Sequence, residues 1–159
     1  GVEAGGEIKG MGLLPMETVF QNSKTRTRVS GTFPKVDGAL SSLTGVKLEG
    51  YEIHMGESVL LEGAHPLTEI TDHVQNITKK DGAYCDNVYG SYVHGIFDKE
   101  EVAKNVVKAI GERKGIDVSQ MTGIDFAAFK ETQYDKLADG LRNHLDMKKI
   151  YEILEAGLE

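Results

Sequence analysis

Apolar and polar positions alternate in part through the first half of the chain and step by three or four in the second. This pattern predicts strands first and helices afterwards. "RTRVSGTF" at 26–33 reads as a strand that Pro34 and the Asp37-Gly38 turn bring to a close. "TGVKLEGYEIHMG" at 44–56 reads as a second strand. Its apolar members Val46, Leu48, Tyr51 and Ile53 break period, which predicts a bend or bulge near Gly50. "HPLTEITDHV" at 65–74 sets Leu67, Ile70 and Val74 at helical spacing among β-branched threonines and predicts neither element. Asp81-Gly82 and Asp86-Asn87 are turn signals around a short strand, and "VYGSYVHGIF" at 88–97 then reads as a buried strand. Ahead of all these, "GMGLLPMETVF" at 10–20 predicts an irregular lead-in with a short strand or helical turn, because Pro15 opposes a long helix.

From Asp98 onward the period changes. Asp98 with Glu101 three residues later predicts a capped helix over 99–114, with Val102, Val106 and Ile110 inward and an end near Gly115. Asp125 predicts the cap of a second helix whose buried stripe is Phe126, Phe129, Leu137, Leu141 and Leu145. Asp146 predicts the cap of a third, carrying Ile150, Ile153 and Leu154. Strands followed by helices, with no repeat, differ from the strand-helix alternation of a complete doubly wound domain.

Composition narrows the class. A chain of 159 residues, 40% hydrophobic and 27% charged, is expected to form one soluble globular domain. No apolar run approaches the length of a bilayer span, and "GVEAGGEIKG" has no signal-peptide character, so the expected location is cytoplasmic. With 18 basic and 25 acidic residues the charge is -7, which argues against nucleic acid as a partner. The single cysteine, Cys85, leaves no internal disulfide and no cysteine-rich zinc site.

Three places could carry chemistry. His94 ends an apolar strand and precedes Gly95, the position from which a sheet delivers a side chain to a site at its edge; imidazole exchanges protons near neutral pH. A hydrogen-bonded core histidine fits the same pattern. In "GYEIHMG" at 50–56, alternation puts Glu52 and His54 on one strand face opposite Tyr51 and Ile53, as site supports or as part of a solvated face. Cys85 lies between Tyr84 and Asp86 with no helix N-terminus or positive group following, so it reads as incidental rather than as a nucleophile. His54, His65, His73, His94 and His144 show no short paired ligand spacing, no metal site is expected, and no G-x4-G-K-[ST] phosphate loop occurs.

"GMGLLPMETVF", "GYEIHMG", "DGAYCDNVYGSYVHGIF" and "DFAAFKETQYDKLADGLRNHLDMKKIYEIL" occur in an order that resembles the glutamine amidotransferase domain of the cobyric acid synthase family. The resemblance implies an α/β fold, part of a class I glutamine amidotransferase (flavodoxin-like) architecture with a mixed sheet followed by C-terminal helices. It implies that residues 1–159 are the C-terminal portion of such a domain, lacking its nucleophile elbow and the N-terminal synthetase domain. The family's "Y-x-H-G-[LI]-F" stretch falls on His94, which the resemblance makes the residue that activates a cysteine. Where related enzymes place a glutamate two residues after that histidine, this chain has Ile96, so a Cys-His dyad is implied.

The implied partners of the intact enzyme are glutamine, a corrinoid substrate (cobyrinic acid a,c-diamide) and the synthetase domain. ATP and magnesium belong to that domain, and no cofactor is implied for this chain. Two other readings stand beside it: a related amidotransferase acting on the cell-wall lipid precursor or making cobyrinate a,c-diamide, and a non-catalytic interaction module. Strand edges left open in such a portion would favour homo-oligomers.

Overall fold

A computed structural model of the chain describes residues 5–119 and 123–157. The chain divides into two compact units, Gly1–Gly123 and Ile124–Glu159, where its length alone suggested one.

Two long strands dominate the first unit: β1, Met16–Thr32, and β2, Lys47–Leu60. No helix runs through Pro15, as expected, but in place of a short strand or helical turn a long strand begins directly after it and absorbs the strand predicted over 26–33. The predicted bulge near Gly50 is displaced. Val29 pairs regularly with Gly50, and the irregularity lies in β1, where residues 21–24 stand opposite Met55 alone. The polar run of Gln21, Asn22, Ser23 and Lys24 has no apolar face to bury, so the extra residues loop out there without cost to the core.

The segment unassigned at 65–74 contains β3, Thr68–Asp72, which returns along β1, and β4, Thr78–Asp81, pairs with β3. A hairpin of β5, Ala83–Cys85, and β6, Val88–Gly90, turns through Asp86 and Asn87, with Asp86 in the left-handed region at φ 51. "VYGSYVHGIF" is not one buried strand. It contributes β6 to that hairpin and the two-residue β7, Val93–His94, to the edge of the main sheet. The buried carboxylate of Asp81 takes Ser91 Oγ and the Tyr92 N–H between them, which removes those groups from any ladder.

The main sheet has the order β4-β3-β1-β2-β7, and every pairing among the described residues is antiparallel, where a mixed sheet was expected. Its inner face carries Val29, Leu48, Ile70 and Val93. They pack with Phe33, Val36 and Leu43 around a 3-10 helix, Gly38–Leu43, and with Val102 of helix α1, Glu100–Arg113. In α1 Val102 is 1% exposed and Val106 packs at the margin, whereas Ile110 is 50% exposed. Asp98 is spent in a 3-10 turn, Ile96–Asp98, so Lys99 occupies the cap position without a side-chain bond. The helix stops at Arg113, just ahead of Gly115 at φ 68, as its sequence predicts.

The turn after β3 depends on Asp72. Its Oδ1 accepts from Val74 N–H at 2.6 Å, Gln75 N–H at 3.0 Å and Thr27 Oγ1 at 2.8 Å. The Gln75 N–H, aided by Thr27, Val74 and Lys79 and opposed by desolvation, holds the carboxyl below its ordinary value. A lowered folded value means the stabilisation is present above the ordinary aspartate range and is lost as pH falls through the lowered one. Asp72→Asn is therefore expected to lower the urea midpoint at neutral pH. The gap from the unsubstituted chain should close on acidification.

In the second unit Asp125 caps α2, Phe126–His144, accepting from Ala128 N–H at 3.0 Å. Asp146 caps α3, Met147–Ala156, accepting from Lys149 N–H at 3.0 Å. Both caps match the sequence reading. The stripe expected to be buried is not: Phe126, Phe129, Leu137, Leu141 and Leu145 are all exposed, as are Ile153 and Leu154. Two helices by themselves enclose no core.

Candidate active site

β7 pairs with β2 over only two residues, Tyr51 with His94 and Glu52 with Val93. Residues opposite each other in an antiparallel pair project from the same face. The register therefore puts His94 with Tyr51 and Ile53 on the outer face, and Glu52 and His54 with Val93 on the inner one. The sheet separates the predicted site residues rather than bringing them together.

His94 is exposed, not a core histidine. Its Nε2 approaches the Ile53 carbonyl oxygen at 3.4 Å, a weak contact that leaves the ring open to a further partner. Gly95 follows at φ 78, and the Asp98 N–H donates to its carbonyl at 2.9 Å, turning the chain sharply away from the imidazole. Gly50 makes room for this edge. A Cβ there would lie 2.6 Å from Val93 Cγ1 and would collide with the carbonyl oxygen of His94. Ile96, where a third triad member would stand, packs against the core instead.

On the inner face Glu52 is 2% exposed, so the solvated face considered from sequence is not what forms. Its Oε1 accepts from His54 Nε2 at 2.6 Å and from Lys79 Nζ at 2.7 Å, while Oε2 is buried without a hydrogen-bond partner among the described residues. His54 Nδ1 faces the Gly56 carbonyl oxygen at 2.7 Å. Both ring nitrogens thus meet an oxygen acceptor. The imidazole also stacks on Tyr92, with ring centroids 4.5 Å apart. Glu52, His54, Lys79, Asp81, Ser58 and Tyr92 line a cavity of about 520 Å³ on this face.

Sequence reasoning missed Lys79, Asp81 and Tyr92. The period-2 spacing of Lys79 and Asp81 carried a signal, since one face of β4 then holds both, but their partners lie far away along the chain. Cys85 sits in β5, its Sγ 3.9 Å from Asp86 Oδ2 and outside the cavity lining. Among the described residues no group of three or more histidine, cysteine, aspartate or glutamate side chains is placed to hold a metal ion. No described helix is long and apolar enough to cross a membrane.

Comparison with known proteins fits this arrangement to a family. Residues 1–102 match the profile of the CobB/CobQ-like glutamine amidotransferase domain. Over its whole length the chain is 46% identical to part of the cobyric acid synthase of Ruminiclostridium cellulolyticum, covering 31% of that protein. The cobyric acid synthase of Lachnoclostridium phytofermentans is 46% identical over 99% of the chain and 32% of the relative. That of Photorhabdus laumondii is 38% identical over 98% and 31%. The chain thus spans about a third of the length of the curated relatives it matches. The profile takes in β1 to β7, the Glu52-His54 strand and the exposed His94 edge, so this chain belongs to the CobB/CobQ-like glutamine amidotransferase domain family.

Proposed function

We propose that residues 1–159 form the C-terminal portion of the amidotransferase domain of a cobyric acid synthase, and that His94 is the group that activates its nucleophile. In this reading a cysteine outside these residues loses its proton to His94 and adds to the side-chain carbonyl of glutamine. Ammonia then leaves with a proton returned from the imidazole, and water hydrolyses the remaining thioester to glutamate. The ammonia reaches a synthetase domain that amidates carboxylates of cobyrinic acid a,c-diamide in the cytoplasm. In this reading ATP and magnesium belong to that domain.

The observation that carries this reading is the extent of similarity. It runs through α2 and α3, beyond the end of the family profile at residue 102, and so favours cobyric acid synthase over the related amidotransferases. The exposure of His94 on the sheet edge supports its role, since a base must be open to the thiol it serves.

The isolated chain tests the division of labour. Incubated with glutamine it is expected to release no glutamate, and release that survives His94→Ala would overturn both the role and the reading. In the full-length polypeptide, Cys85→Ser is expected to leave glutamine hydrolysis within about twofold of the unsubstituted enzyme, because a hairpin thiol beside a carboxylate does not fit the nucleophile's environment.

A further inference from the structure

The residues just ahead of His94 are gripped from the opposite side of the sheet. Asp81, 5% exposed at the end of β4, accepts from Ser91 Oγ at 2.6 Å and from the Tyr92 N–H at 3.3 Å; Thr68 Oγ1 donates to it at 3.1 Å. Ser91 Oγ accepts in turn from the Val93 N–H at 3.0 Å. The Tyr92 ring lies on His54, whose two nitrogens are fixed by Glu52 and Gly56, and its hydroxyl pairs with Ser58 Oγ at 2.7 Å. Three consecutive residues are thus held by buried or half-buried polar contacts. His94 itself has two residues of strand pairing and one long contact to Ile53.

We propose that Asp81 and the His54-Tyr92 stack are positioning residues for His94: anchored on the inner face, they fix the backbone that presents the imidazole on the outer one. The proposal rests on the reading of His94 as the activating group. Its physical basis is that a short edge strand leaves ring placement to whatever holds the preceding backbone, and a buried carboxylate with three donors holds it far more tightly than β7 does. Misplacement of a catalytic group by an ångström is enough to slow chemistry strongly without affecting substrate affinity.

The test pairs two readouts: the His94 ring proton and nitrogen NMR signals of the 159-residue chain, and kcat and KM for glutamine in the full-length polypeptide. Asp81→Asn and Tyr92→Leu are expected to move the His94 signals while leaving those of His144 in α2 in place. Both should lower kcat by roughly ten- to a hundredfold with KM changed by less than about twofold. Tyr92→Phe, which keeps the stacked ring, should recover most of what Tyr92→Leu loses. Should Asp81→Asn prevent folding, Ser91→Ala interrupts the same relay and is expected to act alike. Unchanged His94 signals and kcat in the folded variants would overturn the proposal. A full-length His94→Ala variant separates the two claims, because retained turnover there sinks the catalytic reading itself.

Discussion

His94→Ala in the full-length polypeptide is expected to lower glutamine-dependent amidation by about a thousandfold, while amidation from added ammonia stays within about twofold. The split follows from where the imidazole stands. His94 lies exposed on the outer face, beside Tyr51 and Ile53, and makes only a 3.4 Å approach to the Ile53 carbonyl. Its removal therefore leaves no buried partner unsatisfied and opens no core cavity, so folding and the synthetase reaction should persist. On the proposed reading, what is lost is the group that takes the thiol proton and returns it to the leaving ammonia. Initial rates with glutamine and with ammonium salt, measured on the same preparation, read the two halves separately. Equal losses with both nitrogen sources would mean that His94 serves the fold rather than the glutamine chemistry.

Gly50→Val should have the largest effect on the scaffold. The strand β2 meets β7 so closely here that even a methyl group would stand 2.6 Å from Val93 Cγ1 and strike the His94 backbone. Overpacking against a flexible side chain can be relieved by a rotamer change, but a backbone carbonyl moves only with its strand. We expect a loss of about 2–3 kcal/mol of stability in urea denaturation followed by circular dichroism. Gly50→Ala should cost less but still displace the His94 edge, so its glutamine turnover should fall more steeply than its stability. A Gly50→Val chain as stable as the unsubstituted one would show that β7 does not lie against Gly50.

Local chemistry was legible in the sequence. The Asp125 and Asp146 caps form the bonds their positions imply, and the Asp86-Asn87 turn closes a hairpin. Alternation in "GYEIHMG" correctly put Glu52 and His54 on the same face. What stayed hidden depends on partners distant along the chain. The length of β1 was obscured by the polar residues 21–24, which only the fold shows to be looped out opposite Met55. "VYGSYVHGIF" has the composition of one strand, yet Asp81, ten residues before Ser91, takes the hydrogen-bonding groups that would continue it. The burial of Glu52 required Lys79 from another strand to compensate its charge, and no periodicity within β2 announces that pairing.

The same limit explains the site. His94 could be singled out from its place after an apolar run, and the resemblance gave it a role. That it stands on the face opposite Glu52 and His54 is a matter of register, which a two-residue strand does not write into its own sequence.

On the proposed reading His94 serves a thiol other than Cys85. A diazoketone analogue of glutamine, which alkylates a cysteine poised to attack the amide, tests it directly when added to the full-length polypeptide and followed by peptide mapping. The expected result is a single labelled cysteine outside residues 1–159, with Cys85 unmodified and the labelling rate falling by at least about a hundredfold in His94→Ala. Label on Cys85, or labelling at an undiminished rate without His94, would contradict it.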